Sequence, residues 1–221
     1  MEIHCKQCHS RFKMPGIKLP AGKTATLKCP KCQSVIPVSA AHIKKSQARE
    51  KATQTLDAVM GETYDSKAKP FDFIDENAQT AIICEPDAKV REFISNALKE
   101  MDYYVTEAKD GRDALRKMRY HGYNVVVFNE MFDCEDPDAN GVLAYLQYLP
   151  MNQRRELFII LISHRFRTMD NMMAYNRSVN LIVNLKNLNM FSKILQQGLV
   201  LYHRFYKQYR QCAENSYLGS G

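Results

Sequence analysis

The chain has 221 residues, is 45% hydrophobic and carries a formal charge of +7, a composition that supplies a core for one ordinary domain plus a small one and excludes a disordered chain. It contains no run of about 18 apolar residues and no apolar signal core near its start, so a cytoplasmic protein is expected, with no membrane insertion and no Sec export. The charge is uneven: residues 1–40 hold Lys6, Arg11, Lys13, Lys18, Lys23, Lys28 and Lys31 against Glu2, whereas residues 79–221 carry 18 basic and 16 acidic side chains.

In chain order, the first feature is a pair of Cys-x-x-Cys turns, Cys5 with Cys8 and Cys29 with Cys32, separated by twenty residues. In a chain without an export signal, such cysteines read as metal ligands sooner than as disulfides. Four thiolates close a tetrahedron around one Zn2+ and leave no position for water, so the zinc is expected to be structural. A redox dithiol needs only one such pair. The stretch from Phe12 to Leu27 contains Pro15, Gly16, Pro20 and Gly22 and reads as a hairpin between the pairs. Ile3, Phe12, Leu27, Val35, Ile36 and Val38 are its few apolar contacts, which leaves the metal to supply most of the folding free energy. His4 and His9 flank the first pair and read as surface residues, since four cysteines fill the site. Of the lone cysteines Cys84, Cys134 and Cys212, Cys84 ends a buried run and reads as a core residue.

Cys-Lys-Gln-Cys, Phe12, the Leu-Pro-Ala-Gly turn at 19–22 and Cys-Pro-Lys-Cys followed by Val-Ile-Pro-Val resemble the small zinc ribbons at the start of many bacterial regulatory and motility-associated proteins. The resemblance implies a zinc ribbon over residues 1–40 that displays a surface to protein or to nucleic acid. Four thiolates against one Zn2+ lower the positive charge of that surface.

Residues 41–78 read as a linker. Ile43, Leu56, Val59 and Met60 give part of it a thin helical apolar set, and Gly61 to Asn77, with Pro70 and acids around Phe71, Phe73 and Ile74, reads as extended.

Residues 79–211 alternate strand and helix. Strands are predicted at 81–84, 103–108, 124–129, 157–163 and 181–184, and helices at 88–100, 112–120, near 141–149, near 168–177 and at 189–209. The apolar runs Val125–Phe128 and Leu157–Ile162 call for burial on both faces, hence an α/β fold with a doubly wound parallel sheet of five βα units. Ligand sites in such folds lie at the carboxyl ends of the strands. Residues 212–221 are expected to be a disordered tail.

The order of elements, Glu-Ala-Lys-Asp-Gly-Arg-Asp-Ala-Leu after the second strand, Gly141 before the third helix and Ser163 closing the fourth strand resemble the response-regulator receiver domain, a flavodoxin-like fold. The resemblance implies a phosphoryl site, and most of it is missing. Asn129 stands where the phosphoaccepting aspartate belongs, and a carboxamide forms no acyl phosphate. Glu85 keeps the first acidic position, Pro86 replaces the second, and Mg2+ is not expected. Ser163 is retained, while Lys186 lies one residue past the position that the ungapped register assigns to the lysine. The expectation is a pseudo-receiver, with a shifted register in which Glu130 or Asp133 accepts phosphate as the alternative.

The acidic loop Asp133–Gly141 does not match calcium spacing and reads as solvated. The last helix lacks acids from Met190 to Cys212 and carries Lys193, Arg204, Lys207 and Arg210 beside Tyr202, Phe205, Tyr206 and Tyr209. With Met169, Met172, Met173 and Tyr175 it forms a candidate partner-binding surface of the kind enriched in protein interfaces, Tyr202, Tyr206, Tyr209 and Arg210 included. The sequence therefore reads as a non-enzymatic signalling adaptor that binds protein partners of a signalling or motility pathway, or a second copy through its last two helices. A nucleic-acid-binding regulator using Lys13, Lys28, Lys31 and the last helix is the alternative.

Overall fold

The computed structural model describes residues 2–13, 24–39, 57–59, 61 and 78–218. Two antiparallel hairpins come first. β1 (Glu2–His4) pairs with β2 (Arg11–Lys13), and β3 (Thr24–Lys28) with β4 (Val35–Ser39), which sets Ile3 opposite Phe12 and Leu27 opposite Ile36. Each Cys-x-x-Cys turn is the tip of its own hairpin. This differs from the single hairpin expected between the two pairs, and residues 14–23, with Pro15, Gly16, Pro20 and Gly22, lie outside the described residues. The reason is local: the turn reverses the chain by itself. The residue after the second cysteine, His9 (φ 54°) or Gln33 (φ 58°), is left-handed, and its amide donates to the carbonyl of the first cysteine at 2.9 Å in both hairpins.

Within 41–78, residues 57–59 are helical. Val59 is buried in the same cluster as Leu115, Tyr123 and Tyr145, and the Arg119 guanidinium donates to its carbonyl. This part of the linker is therefore packed against the α/β unit. Ile43, Leu56, Met60, Pro70, Phe71, Phe73 and Ile74 lie outside the described residues.

The α/β unit is a five-stranded sheet of β5 (Thr80–Cys84), β6 (Tyr104–Glu107), β7 (Val125–Asn129), β8 (Phe158–Ser163) and β9 (Leu181–Asn184). All its pairings are parallel, in the order β6-β5-β7-β8-β9. That order is the flavodoxin-like one, with its switch point beside β5. Five helices cover it: α1 (Ala88–Lys99), α2 (Gly111–Tyr120), α3 (Gly141–Tyr148), α4 (Asn171–Arg177) and α5 (Phe191–Leu218). The doubly wound parallel sheet expected from the apolar runs is formed, in the receiver/flavodoxin-like order that the resemblance implies.

The two-residue period of the strands divides the core between the faces. Ile82, Val126, Leu161 and Ile182 pack with Leu115, Leu143, Leu146 and Ala174 of α2, α3 and α4. Ile83, Val127, Ile160 and Val183 pack with Ile94 and Leu98 of α1 and with Phe191 and Leu195 of α5. Asp87, Asp110, Asn140 and Asp170 each accept a backbone amide of the first turn of α1, α2, α3 and α4. These caps start the helices cleanly at the carboxyl edge of the sheet.

Two differences from the sequence reading concern helices. A single turn at Met151–Arg154 follows Pro150, and α5 continues to Leu218 instead of giving way to a disordered tail at 212. Gln208, Arg210, Gln211, Ala213 and Glu214 are good helix formers, and no Gly or Pro interrupts them before Gly219.

Candidate functional site

The first candidate centre lies between the hairpin tips. The Sγ atoms of Cys5, Cys8, Cys29 and Cys32 all fall within 4.8 Å of one another. Across the hairpins, Cys5 and Cys32 are 3.5 Å apart and Cys8 and Cys29 3.6 Å. A zinc–sulfur bond of about 2.3 Å implies a tetrahedral sulfur–sulfur edge of about 3.8 Å, so the four sulfurs fit such an ion with small adjustment. Hydrogen bonds lower two of the thiols. Cys29 falls to about 6, through the Ser10 hydroxyl first and the Cys32 amide next. Cys5 is lowered by the Ser34 hydroxyl and the amides of Cys8 and Gln7. Cys32 moves up: its bonds to Ser34 are outweighed by burial and by the neighbouring sulfurs of Cys8 and Cys5. Four sulfurs this close do not all ionise without a cation among them.

The second candidate centre is the carboxyl end of the sheet at the switch point, where β5, β7 and β8 deliver Glu85, Asn129 and Ser163. Glu85 is buried. Its Oε2 accepts from Asn129 Nδ2 at 2.8 Å and its Oε1 from the Asp87 amide at 3.1 Å. Burial pushes the Glu85 carboxyl above its ordinary value, against the pull of these donors. Asn129 Oδ1 accepts the Met131 amide at 2.9 Å. Pro86 offers no ligand, and Asp87 is committed to capping α1.

Ser163 does not face Asn129 with a free hydroxyl. It donates to Glu130 Oε1 at 2.7 Å, and the His164 amide donates to the same oxygen at 3.1 Å. Arg165 closes on the other oxygen of that carboxylate, with Nε and Nη2 each 2.7 Å from Oε2. Glu130 is 4% exposed and its charge is met by Arg165, from the loop after β8, while Arg91 reaches the same edge and donates to the Glu85 carbonyl at 2.9 Å. Lys186 is exposed in the turn after β9. Asn184, the last residue of β9, ties down the neighbouring loop by donating to the Phe166 carbonyl at 2.7 Å. The sequence reading missed Arg165 because it lies in a loop without periodicity and its partner is 35 residues away.

The acidic loop, which reads as solvated in the sequence, is instead partly tied into the fold. Asp133 accepts the Gly111 amide at the start of α2 at 2.9 Å, and Asp138 pairs with Arg177 at 2.6 Å and with Arg165 at 3.8 Å. Asn140 Nδ2 gathers the carbonyls of Asn129, Glu130 and Phe132 within 3.3 Å. Each acid that a shifted register would make a phosphate acceptor, Glu130 or Asp133, thus has an internal partner.

No family model matches the chain, and no curated protein matches it. The solved structures it resembles include a receiver domain and several response regulators. A Francisella response-regulator receiver domain is 19% identical, with a TM-score of 0.44 over 58% of this chain and 99% of that one. A chemotaxis response regulator of Vibrio cholerae is 16% identical, with a TM-score of 0.45 over 55% and 98%. A LuxR-family DNA-binding response regulator of Staphylococcus aureus is 16% identical, with a TM-score of 0.43 over 54% and 98%.

The expected partner surface is only partly assembled. Met172 and Tyr175 on α4 are 76% and 84% exposed, and Phe205 and Tyr209 on α5 are 78% and 42% exposed. Tyr202 does not belong to that surface. It is buried, packs edge-on against Phe158 with ring centroids 5.2 Å apart, and donates to the Arg155 carbonyl. Met169 and Tyr206 are half-buried against the α1/α5 core and Met173 against the opposite one. Arg210 is half-buried over the Tyr202 ring. α4 and α5 lie on opposite faces of the sheet, with the edge strand β9 between them. Among the described residues, no helix is long and apolar enough to cross a membrane.

Proposed function

We propose that this chain is a non-enzymatic signalling adaptor. In this reading a structural zinc ribbon (1–40), held by Cys5, Cys8, Cys29 and Cys32, is joined through 41–78 to a phosphorylation-independent pseudo-receiver (79–211), and both bind protein partners. The observation that carries it is the Glu130–Arg165 pair closed over Ser163. A cleft built to take a phosphoryl group needs a free carboxylate, a free hydroxyl and a free cation. Here Asn129 replaces the carboxylate, and the Ser163 hydroxyl and the Arg165 guanidinium are both spent on Glu130. The partner surface is the exposed set on α4 and α5: Met172, Tyr175, Phe205 and Tyr209.

The test is incubation of the full chain with labelled acetyl phosphate and Mg2+. No label is expected on the chain. Label that disappears in Glu130→Ala or Asp133→Ala would sink the reading and restore a phosphorylatable regulator.

A second reading has its own support. Lys6, Arg11, Lys28 and Lys31 are exposed around the sulfur cluster, and Arg204 and Lys207 are exposed on α5. Such a basic surface suits a nucleic-acid-binding regulator.

A further inference from the structure

The two hairpin tips share a longer repeat than their cysteines: Cys5-Lys-Gln-Cys8-His9-Ser10 and Cys29-Pro-Lys-Cys32-Gln33-Ser34. In both, the left-handed residue after the second cysteine turns the chain back so that the following serine lies over the sulfurs. Ser10 Oγ sits 3.0 Å from Cys8 Sγ and 3.5 Å from Cys29 Sγ. Ser34 Oγ sits 3.0 Å from Cys32 Sγ and 3.2 Å from Cys5 Sγ. Each hydroxyl therefore stands between a sulfur of its own hairpin and one of the other.

We propose that Ser10 and Ser34 are positioning residues of the metal site, each serving the buried sulfur of the opposite hairpin, so that the two Cys-x-x-Cys turns close on a metal only together. This rests on the reading that the four cysteines hold zinc. One hydroxyl has one proton to share between its two sulfurs, and burial decides where it matters. Cys5 and Cys29 are each 1% exposed, whereas Cys8 is half-buried and Cys32 exposed. Water reaches the outer two thiolates and cannot reach the inner two, which must find every donor inside the protein. Each inner sulfur takes two amides from its own turn. From across the site comes a hydroxyl, Ser34 for Cys5 and Ser10 for Cys29, beside the sulfurs of Cys32 and Cys8, which as metal-bound thiolates have no proton to donate. That reciprocal pair of serines makes the second hairpin part of the first hairpin's thiolate environment, in the way outer donors orient and tune metal ligands generally.

The experiment compares the full chain with Ser10→Ala, Ser34→Ala and the corresponding Thr variants by chelator competition for Zn2+. Each alanine is expected to weaken zinc binding by about ten- to a hundredfold, and threonine, which keeps the hydroxyl, to recover most of it. The Co2+-substituted chain supplies a second measurement. Removing a donor from a thiolate raises its lone pairs, so the sulfur-to-cobalt charge-transfer band should move to longer wavelength in the alanine variants. Alkylation of the zinc-loaded chain, in which every ligand sulfur is already ionised, supplies a third when mapped by mass spectrometry: Ser34→Ala should make Cys5, on the other hairpin, react faster. Wild-type chain that takes up no zinc overturns the metal reading itself. Zinc bound by wild type, with affinity and cobalt spectrum unchanged in both alanine variants, overturns the serine assignment alone. Faster alkylation confined to Cys32 in Ser34→Ala and to Cys8 in Ser10→Ala overturns the exchange between hairpins.

Discussion

Arg165 grips Glu130 with two nitrogens on one carboxylate oxygen, each at 2.7 Å, while Ser163 and the His164 amide hold the other oxygen. Removing one partner of a fully buried pair costs about 3–5 kcal/mol, because the other charge stays buried. Arg165 is 41% exposed at its side chain, so part of that cost is met by water entering its place. Arg165→Ala is expected to lower the unfolding free energy by about 2 kcal/mol, and adding Glu130→Gln should return some of the loss by removing the stranded charge. Urea denaturation of the two variants and the wild type checks both statements.

Asn129→Asp replaces the donor that faces Glu85 at 2.8 Å with a second carboxyl. Two carboxylates at that distance do not both ionise comfortably, and one retains a proton to higher pH. The variant is expected to be less stable than wild type at pH 7 and to regain stability on acidification or on addition of Mg2+, which would neutralise the pair. Thermal melts with and without Mg2+ read this directly. Wild type, with a carboxamide there, should show no Mg2+ dependence.

Glu85 itself gives a signed pH dependence. Burial raises its folded-state pKa above the ordinary 4.5, against the pull of Asn129 and the Asp87 amide. The folded chain then holds this proton more tightly than the unfolded chain does. The resulting stability is fully present below the ordinary value and is lost as pH rises through the folded value. Glu85→Gln cannot titrate there. The stability of wild type relative to Glu85→Gln is therefore expected to fall as pH climbs from 4.5 upward through the raised folded-state value, as followed by melting temperatures at stepped pH.

The elements of the sheet were legible because an apolar run of five or six residues followed by Asp or Asn is both a buried strand and a helix cap. β7 ends in Asn129 with no room to slip. Glu85, Asn129 and Ser163 could be placed together because strand ends in a parallel sheet converge. The Glu130–Arg165 pair was not legible, since neither residue belongs to a periodic stretch and only the folded sheet brings their loops together. The face of α5 was illegible for the opposite reason: aromatic residues occupy nearly every side of it, so periodicity did not separate buried Tyr202 from exposed Phe205. The serines of the hairpin tips stand in the sequence as a repeated Cys-x-x-Cys-x-Ser, but only the folded pair of hairpins brings each hydroxyl to a sulfur of the other.

Gly198 is where α5 packs its backbone against Phe158 and Leu181 of the sheet. A Cβ there would stand 3.0 Å from Phe158 Cζ and 3.1 Å from Leu181 Cδ2. Alanine in place of glycine favours a helix by about 1 kcal/mol, and overpacking a core contact costs about 1–3 kcal/mol. The second effect wins because both neighbours are buried core side chains, Phe158 at the start of β8 and Leu181 at the start of β9. Gly198→Ala is expected to destabilise the domain by about 1 kcal/mol, whereas the same exchange at Gly122, where nothing lies within 4 Å of the added carbon, should introduce no such clash. Chemical denaturation of the two variants separates packing from backbone entropy.

The adaptor and nucleic-acid readings part on salt. Exposed Lys6, Arg11, Lys28, Lys31, Arg204 and Lys207 are enough positive charge to hold phosphates, but four thiolates lie among the first four residues and a zinc ion leaves that cluster with a net negative charge. Exposed Met172, Tyr175 and Phe205 supply apolar area that a phosphate backbone does not use. Protein binding therefore predicts no tight association of the zinc-loaded chain with mixed-sequence duplex DNA at about 50 mM salt, whereas phosphate-driven binding would be tight there and fall by orders of magnitude by about 200 mM. Fluorescence anisotropy at the two salt concentrations distinguishes them. If binding is found, Lys28→Glu with Lys31→Glu should abolish it when the ribbon is the contact, and Arg204→Glu with Lys207→Glu when α5 is.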